Sequence, residues 1–163
     1  AKYNLPLPKL RIEPGRLISG PCGVAVGTVG AVKVGDKKKW VNLDLSTNVL
    51  SWASILDWYY HAVPVENTER EATETVDIVG PLCNSDEIGK QRKMPPLVRG
   101  EHVAFLDAGG YVESQAARYN AQCLPATVLV FNELSEITTE REQLRDVSGR
   151  FRVPPRLLAQ SFG

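Results

Sequence analysis

The residues able to do chemistry fall in three short clusters, each following a run that reads as a strand, where loops present function. Glu13-Pro14-Gly15-Arg16 follows Leu10-Arg11-Ile12. Proline fixes φ, and glycine lets a ligand approach the backbone. An arginine beyond such a turn can hold a phosphate or carboxylate with two parallel hydrogen bonds. The same four residues also suit an ordinary turn with a surface arginine. In Val79-Gly80-Pro81-Leu82-Cys83-Asn84 a cysteine is set in a polar loop. No cation neighbours Cys83 in sequence to favour a thiolate, so a neutral thiol donating a proton fits better than a nucleophile; a buried, inert thiol is the alternative. Asp107-Ala108-Gly109-Gly110-Tyr111 places a phenol ring after small residues. That ring could stack on a flat cofactor or simply be half-buried at a turn. Gly109-Gly110 is too short for a dinucleotide or P-loop fingerprint.

The elements that must position these clusters are short and mostly extended. Gly23–Val34 nearly alternates valine with small residues, which predicts a long strand whose glycines mark bends or bulges. Gly35-Asp36-Lys37 reads as a turn, and Trp40–Leu45 as the returning strand of a hairpin. Further strands are expected at Leu10–Glu13, Ala62–Val65, Glu74–Val79, His102–Leu106 and Thr127–Phe131. Short helices are expected within Val49–Tyr59, Tyr111–Arg118, Glu140–Arg145 and Pro155–Gln160, the last opened by a proline whose missing N–H the first turn would not use. Many short strands with frequent Gly and Pro turns predict a mainly β barrel or sandwich with a few small helices. Trp52, Trp58, Tyr59 and Tyr60 form an aromatic group suited to core or interface.

The chain has 163 residues, enough for one domain with a real core. Nineteen Lys and Arg offset nineteen Asp and Glu, which leaves no excess positive charge for a nucleic-acid footprint. No apolar run approaches the roughly 18 residues needed to span a bilayer, and no segment reads as a signal peptide. Cys22, Cys83 and Cys123 are odd in number and widely spaced, which fits free thiols in a reducing compartment, the cytoplasm. With His61 and His102 the only histidines and no CxxC pair, a zinc site is not expected. Ala1–Pro8 carries no capped or patterned element and reads as a cut inside a larger protein.

The order and spacing of the clusters say more than each alone. Glu-Pro-Gly-Arg, a Gly-Pro-x-Cys loop, Asp-Ala-Gly-x-Tyr, Tyr119-Asn120 and Pro125-Ala126-Thr127-Val128-Leu129-Val130 resemble the C-terminal half of the fold-type III, pyridoxal-phosphate-dependent amino acid decarboxylases. This is the family of the diaminopimelate, ornithine and arginine enzymes, and the resemblance covers nearly the whole chain. It implies a two-domain, homodimeric enzyme. An N-terminal (β/α)8 barrel carries the lysine that holds pyridoxal 5'-phosphate, and a C-terminal Greek-key-like β-barrel completes the site. A (β/α)8 barrel needs about 200 residues or more, so residues 1–163 are expected to be the second domain alone, inactive by itself. By the same resemblance, Glu13, Gly15 and Arg16 lie at the cofactor, and Tyr111 beside it. Arg16, Asn84 and Tyr111 meet the amino acid substrate. Cys83 reaches across the dimer interface and protonates the carbon that has lost carbon dioxide.

The sequence departs from the diaminopimelate enzymes at two places. The residue after the family cysteine is a glutamate there, and an aspartate in the ornithine enzymes, each meeting a distal ammonium; here it is the uncharged Asn84. The segment that grips the distal carboxylate, Arg-Pro-Ala-Leu-Tyr in those enzymes, corresponds to Asn48–Leu56, which has neither the arginine nor the tyrosine. Asp86 or Glu87 could compensate in part. A site lacking both partners should bind the diaminopimelate tail poorly, so the expected substrate is another amino acid or an amino-acid conjugate. The alternatives are a non-catalytic relative that binds a decarboxylase through the dimer face, and an unrelated β-barrel binding module.

Overall fold

The structure, a computed structural model, describes Pro6 and residues 8–158. Its centre is a six-stranded sheet. The strands are β1 (Ala25–Val34), β2 (Lys39–Leu43), β3 (Ala62–Pro64), β4 (Glu74–Val79), β5 (Glu87–Met94) and β6 (His102–Phe105). Their order across the sheet is β3-β6-β1-β2-β4-β5. All neighbours are antiparallel except β2 and β4. The two end strands, β3 and β5, lie against each other, so the sheet nearly closes into the expected barrel.

The Val-rich strand earns its length by serving two partners. Ala25 to Thr28 pair with Phe105 to His102 of β6, and Val29 to Val34 pair with Leu43 to Lys39 of β2. The register shifts between Val29 and Ala31, which puts the bulge at Gly30. Gly27 is needed for packing, because a Cβ there would lie 2.8 Å from Leu45 Cβ. The inward side chains Val29, Val41, Leu43, Val76, Ile78, Ile88, Val103 and Phe105 form one core, joined by Leu50, Met94 and Tyr60.

A second hairpin, β7 (Thr127–Phe131) and β8 (Leu134–Thr139), stands apart from the barrel sheet. Among the described residues lie four short α-helices, α1 (Arg16–Ser19), α2 (Ser51–Ile55), α3 (Leu144–Ser148) and α4 (Pro155–Leu158), and single 3-10 turns at Gly20–Cys22 and Tyr119–Ala121. Among the described residues no helix is long and apolar enough to cross a membrane.

Several expectations need correction. Leu10–Glu13 is not a strand: no described strand pairs with it, and Leu10 and Ile12 are exposed. Tyr111–Arg118 forms turns rather than a helix, because Tyr111 takes φ 68°, the left-handed region in which a right-handed helix cannot start. The helix sought within Val49–Tyr59 is only Ser51–Ile55, and Asp57 follows it at φ 50°. The helix expected at Glu140–Arg145 begins at Leu144, where Gln143 and Asp146 form a reciprocal cap. Pro155–Leu158 is helical, and Gln160 lies outside the described residues.

Candidate functional site

Gly15, Arg16 and Tyr111 meet, although Arg16 and Tyr111 lie 95 positions apart in the sequence. Arg16 opens α1, and the loop after β6 brings Tyr111 over it. The two segments are held by backbone hydrogen bonds: Gly109 N–H donates to the Gly20 carbonyl at 3.0 Å, and Ala108 N–H to that of Gly23 at 2.9 Å. Glycine is required at this crossing. A Cβ on Gly109 would lie 2.0 Å from the Ser19 carbonyl oxygen, and one on Gly15 would lie 2.1 Å from the Tyr111 hydroxyl.

The Arg16 guanidinium sits among four rings. Its Cζ lies 4.3 Å from the centroids of both Trp52 and Trp58, and 5.7 Å from those of Tyr60 and Tyr111. Trp52 stacks on Tyr111 with centroids 4.8 Å apart and planes 10° from parallel. Its indole N–H is held by the Gln115 side chain. Arg16 Nη1 donates to the Asp107 carbonyl at 3.4 Å. Nε and Nη2 are buried and have no hydrogen-bond partner. A guanidinium fixed by cation–π contacts, with two donors free, is prepared to receive an oxyanion.

Cys83 is not in this cluster. It lies exposed on the loop between β4 and β5, where its Sγ accepts a hydrogen bond from Asn120 Nδ2 at 3.3 Å. Cys22 is also exposed, and all three thiols are free. The segment from Tyr111 to Asn120 bridges the two places, and Asn48 anchors it: its Nδ2 donates to the Tyr119 carbonyl at 2.9 Å, and its carbonyl accepts from Ala117 N–H at 2.8 Å. Glu13 is exposed on the approach to α1. Asn84 lines an open cleft of about 450 Å³ together with Lys33, Trp40 and Glu87.

Asp86 does not serve as a spare charge for a ligand. It is buried, and Oδ1 accepts from the Thr47 N–H and hydroxyl, each at 2.7 Å, while Oδ2 accepts from Leu82 N–H at 2.9 Å. Its carboxylate shapes the Cys83 loop instead. Gly80 N–H also donates to the Asp86 carbonyl at 2.8 Å, and a Cβ on Gly80 would lie 2.2 Å from Asp86 Oδ2.

Trp52 and Trp58 are the site residues to which the sequence assigned no role, whereas Asn120 belongs to the Tyr119-Asn120 pair of the resemblance. The two indoles read only as core or interface, since nothing local announces a cation folded onto them from far along the chain. Asn120 takes φ 58°, a conformation asparagine tolerates better than most residues.

Among known families, the profile of the pyridoxal-dependent decarboxylase C-terminal sheet domain matches residues 18–109. The diaminopimelate decarboxylase of Methanothermobacter thermautotrophicus is 30% identical over 159 residues, covering 97% of this chain and 37% of that protein. That of Aquifex aeolicus is 36% identical over 135 residues, covering 82% of this chain and 32% of that protein. The crystal structure of the M. jannaschii diaminopimelate decarboxylase in complex with L-lysine superposes with a TM-score of 0.85 at 31% identity, over 96% of this chain and 36% of that one. This chain therefore spans roughly a third of the length of these relatives.

Proposed function

Because the chain belongs to the family of the pyridoxal-dependent decarboxylase C-terminal sheet domain, we propose that it completes the active site of an amino acid decarboxylase whose cofactor lysine lies in a (β/α)8 barrel outside residues 1–163. The observation that carries this reading is the Arg16 guanidinium, held by four rings and with two buried donors unpartnered. Those donors fit a phosphate or a carboxylate, and the half-exposed Tyr111 ring beside them fits a flat heterocycle. The residues present therefore suit pyridoxal phosphate together with an amino acid.

When bound, the cofactor supplies the electron sink for the bond to carbon dioxide. The chain's own residues do the rest. Gly15 and Arg16, with Glu13 at their approach, hold the anionic end of cofactor or substrate. Tyr111, braced by Trp52, orients what stacks against it. The Cys83 thiol, steadied by Asn120, gives its proton to the substrate α-carbon after carbon dioxide leaves. Cys83 stands apart from the Arg16 cluster within one chain, which favours a site shared between two copies. The exposed Leu17 and Ile18 beside Arg16 favour cover by further polypeptide.

The substrate is proposed to be an amino acid other than meso-diaminopimelate. Asn84 carries no charge for a distal ammonium. At Asn48–Leu56, Trp52 is spent on Tyr111 and Arg16, and no cation is offered to a distal carboxylate. Carbon dioxide release by the complete enzyme from meso-diaminopimelate and from a panel of other amino acids tests this. At least one other amino acid is expected to give the higher kcat/KM. Preference for meso-diaminopimelate over the whole panel would overturn the substrate assignment.

A further inference from the structure

The loop between β2 and α2 buries three consecutive polar residues, Ser46, Thr47 and Asn48. Polar groups this deep need partners, and theirs lie on two separate stretches of chain. Thr47 gives its N–H and its hydroxyl to Asp86, whose other carboxylate oxygen takes the N–H of Leu82, the residue before Cys83. Asn48 Nδ2 donates to the carbonyl of Tyr119, the residue before Asn120, and to Gln122 Oε1 at 3.0 Å. The Ser46 hydroxyl also donates to Gln122 Oε1, at 2.7 Å, and accepts the Asn48 N–H at 3.1 Å. One buried bracket therefore holds the chain on both sides of the contact between Asn120 Nδ2 and Cys83 Sγ.

That contact needs holding. Sulfur is a weak acceptor, and Cys83 and Asn120 are both exposed, on segments that no described strand carries. Asn120 and Ala121 take φ 58° and 56°, a conformation that non-glycine residues keep only where their surroundings over-determine it. Asn48 Nδ2 does so by spanning Tyr119 and Gln122, one on either side of the left-handed pair. We infer that Asn48 is a positioning residue for the Cys83 thiol: it fixes Asn120, while its neighbour Thr47 fixes the thiol's own loop through Asp86. The inference rests on the reading of Cys83 as proton donor, because a donor displaced by about 1 Å loses on the order of a hundredfold in rate.

The test uses the complete enzyme and its Asn48→Ala, Asn120→Ala and Gln122→Ala variants. The rate at which iodoacetamide alkylates Cys83 is followed by peptide mass mapping, which separates it from Cys22 and Cys123. Asn48→Ala and Asn120→Ala are expected to change that rate in the same direction and by the same factor, about fivefold, the scale of one net hydrogen bond, since each removes the same contact. Gln122→Ala, at a partly exposed position, is expected to move it the same way by a smaller factor, and it carries the comparison if Asn48→Ala does not fold. Turnover is the second readout. Asn48→Ala is expected to lower kcat on the order of tenfold with KM unchanged. It should cost nothing further in an enzyme already carrying Cys83→Ala, because it acts through the thiol. A fold-wide defect would instead multiply with that of Cys83→Ala. Cys83 alkylated at the parent rate in the variants, or a further loss on top of Cys83→Ala, would overturn the proposal. Parent turnover in Cys83→Ala would defeat the proton-donor reading instead, and the alkylation rates alone would then decide whether Asn48 holds the thiol.

Discussion

Asp86 illustrates how a residue's neighbours decide its job. In sequence it is one more charge in a polar loop after Cys83. In the fold it is a buried acceptor for three donors from Thr47 and Leu82. Replacing it by alanine strands those donors, and Asp86→Ala is expected to cost about 3 kcal/mol, the scale of buried donors left unpaired. Chemical denaturation of the two chains checks this, and a difference under about 0.5 kcal/mol, the usual span of surface substitutions, would show that the loop is not built on the carboxylate. At Gly15 the constraint is space. A Cβ 2.1 Å from the Tyr111 hydroxyl cannot be accommodated, so Gly15→Ala should displace Tyr111 from Trp52 and flatten the near-UV dichroism of that stack. Adding Tyr111→Phe should restore part of the signal; an undisturbed spectrum in Gly15→Ala would count against the crossing as described. Gly15, Arg16 and Tyr111 stood out through their turn residues and the order of their clusters, and the fold brings the three together. Trp52 and Trp58 did not stand out in that way, because their place is set by a cation from α1, on the other side of β1 and β2 in the chain.

Among the elements, the β1–β2 hairpin is written plainly in alternating valines and a Gly-Asp turn. β5 is hidden, since Glu87–Met94 is mostly polar and its alternation breaks at the left-handed Gln91. β8 is hidden for another reason. It returns from β7 through Asn132-Glu133, with Asn132 at φ 54°, and its pattern is exposed throughout. The short edge strand β3 is fastened to β6 by Glu66, which accepts from His102 N–H at 2.8 Å and meets His102 Nδ1 at 2.5 Å. These contacts, led by the backbone hydrogen bond, hold the Glu66 carboxyl down at about 2 against an ordinary value of 4.5. A carboxyl depressed in the folded state adds stability above its ordinary value and loses it as pH falls through the folded one. The melting temperature should therefore fall more steeply in the parent than in Glu66→Gln between about pH 5 and pH 2. Parallel profiles would mean that the contact contributes nothing to the edge.

At the scale of the molecule, the barrel presents its reactive groups in two places rather than one. Arg16 and Tyr111 meet where α1 crosses the loop after β6, while Cys83 is offered on the loop between β4 and β5. That layout accords with the proposed role, in which a cofactor lysine outside residues 1–163 and a second copy supply the remainder of the site. The order of the clusters along the chain implies that division through the resemblance, whereas the separation of the thiol from the guanidinium needed the fold. The most direct measurement is the rate of carbon dioxide release by the complete enzyme carrying Cys83→Ala, on its best amino acid substrate. Loss of a positioned proton donor predicts a fall in turnover on the order of a hundredfold or more, with the bound cofactor's absorption unchanged. Turnover equal to that of the parent would contradict the assignment of Cys83 as proton donor, and with it the central account of this domain.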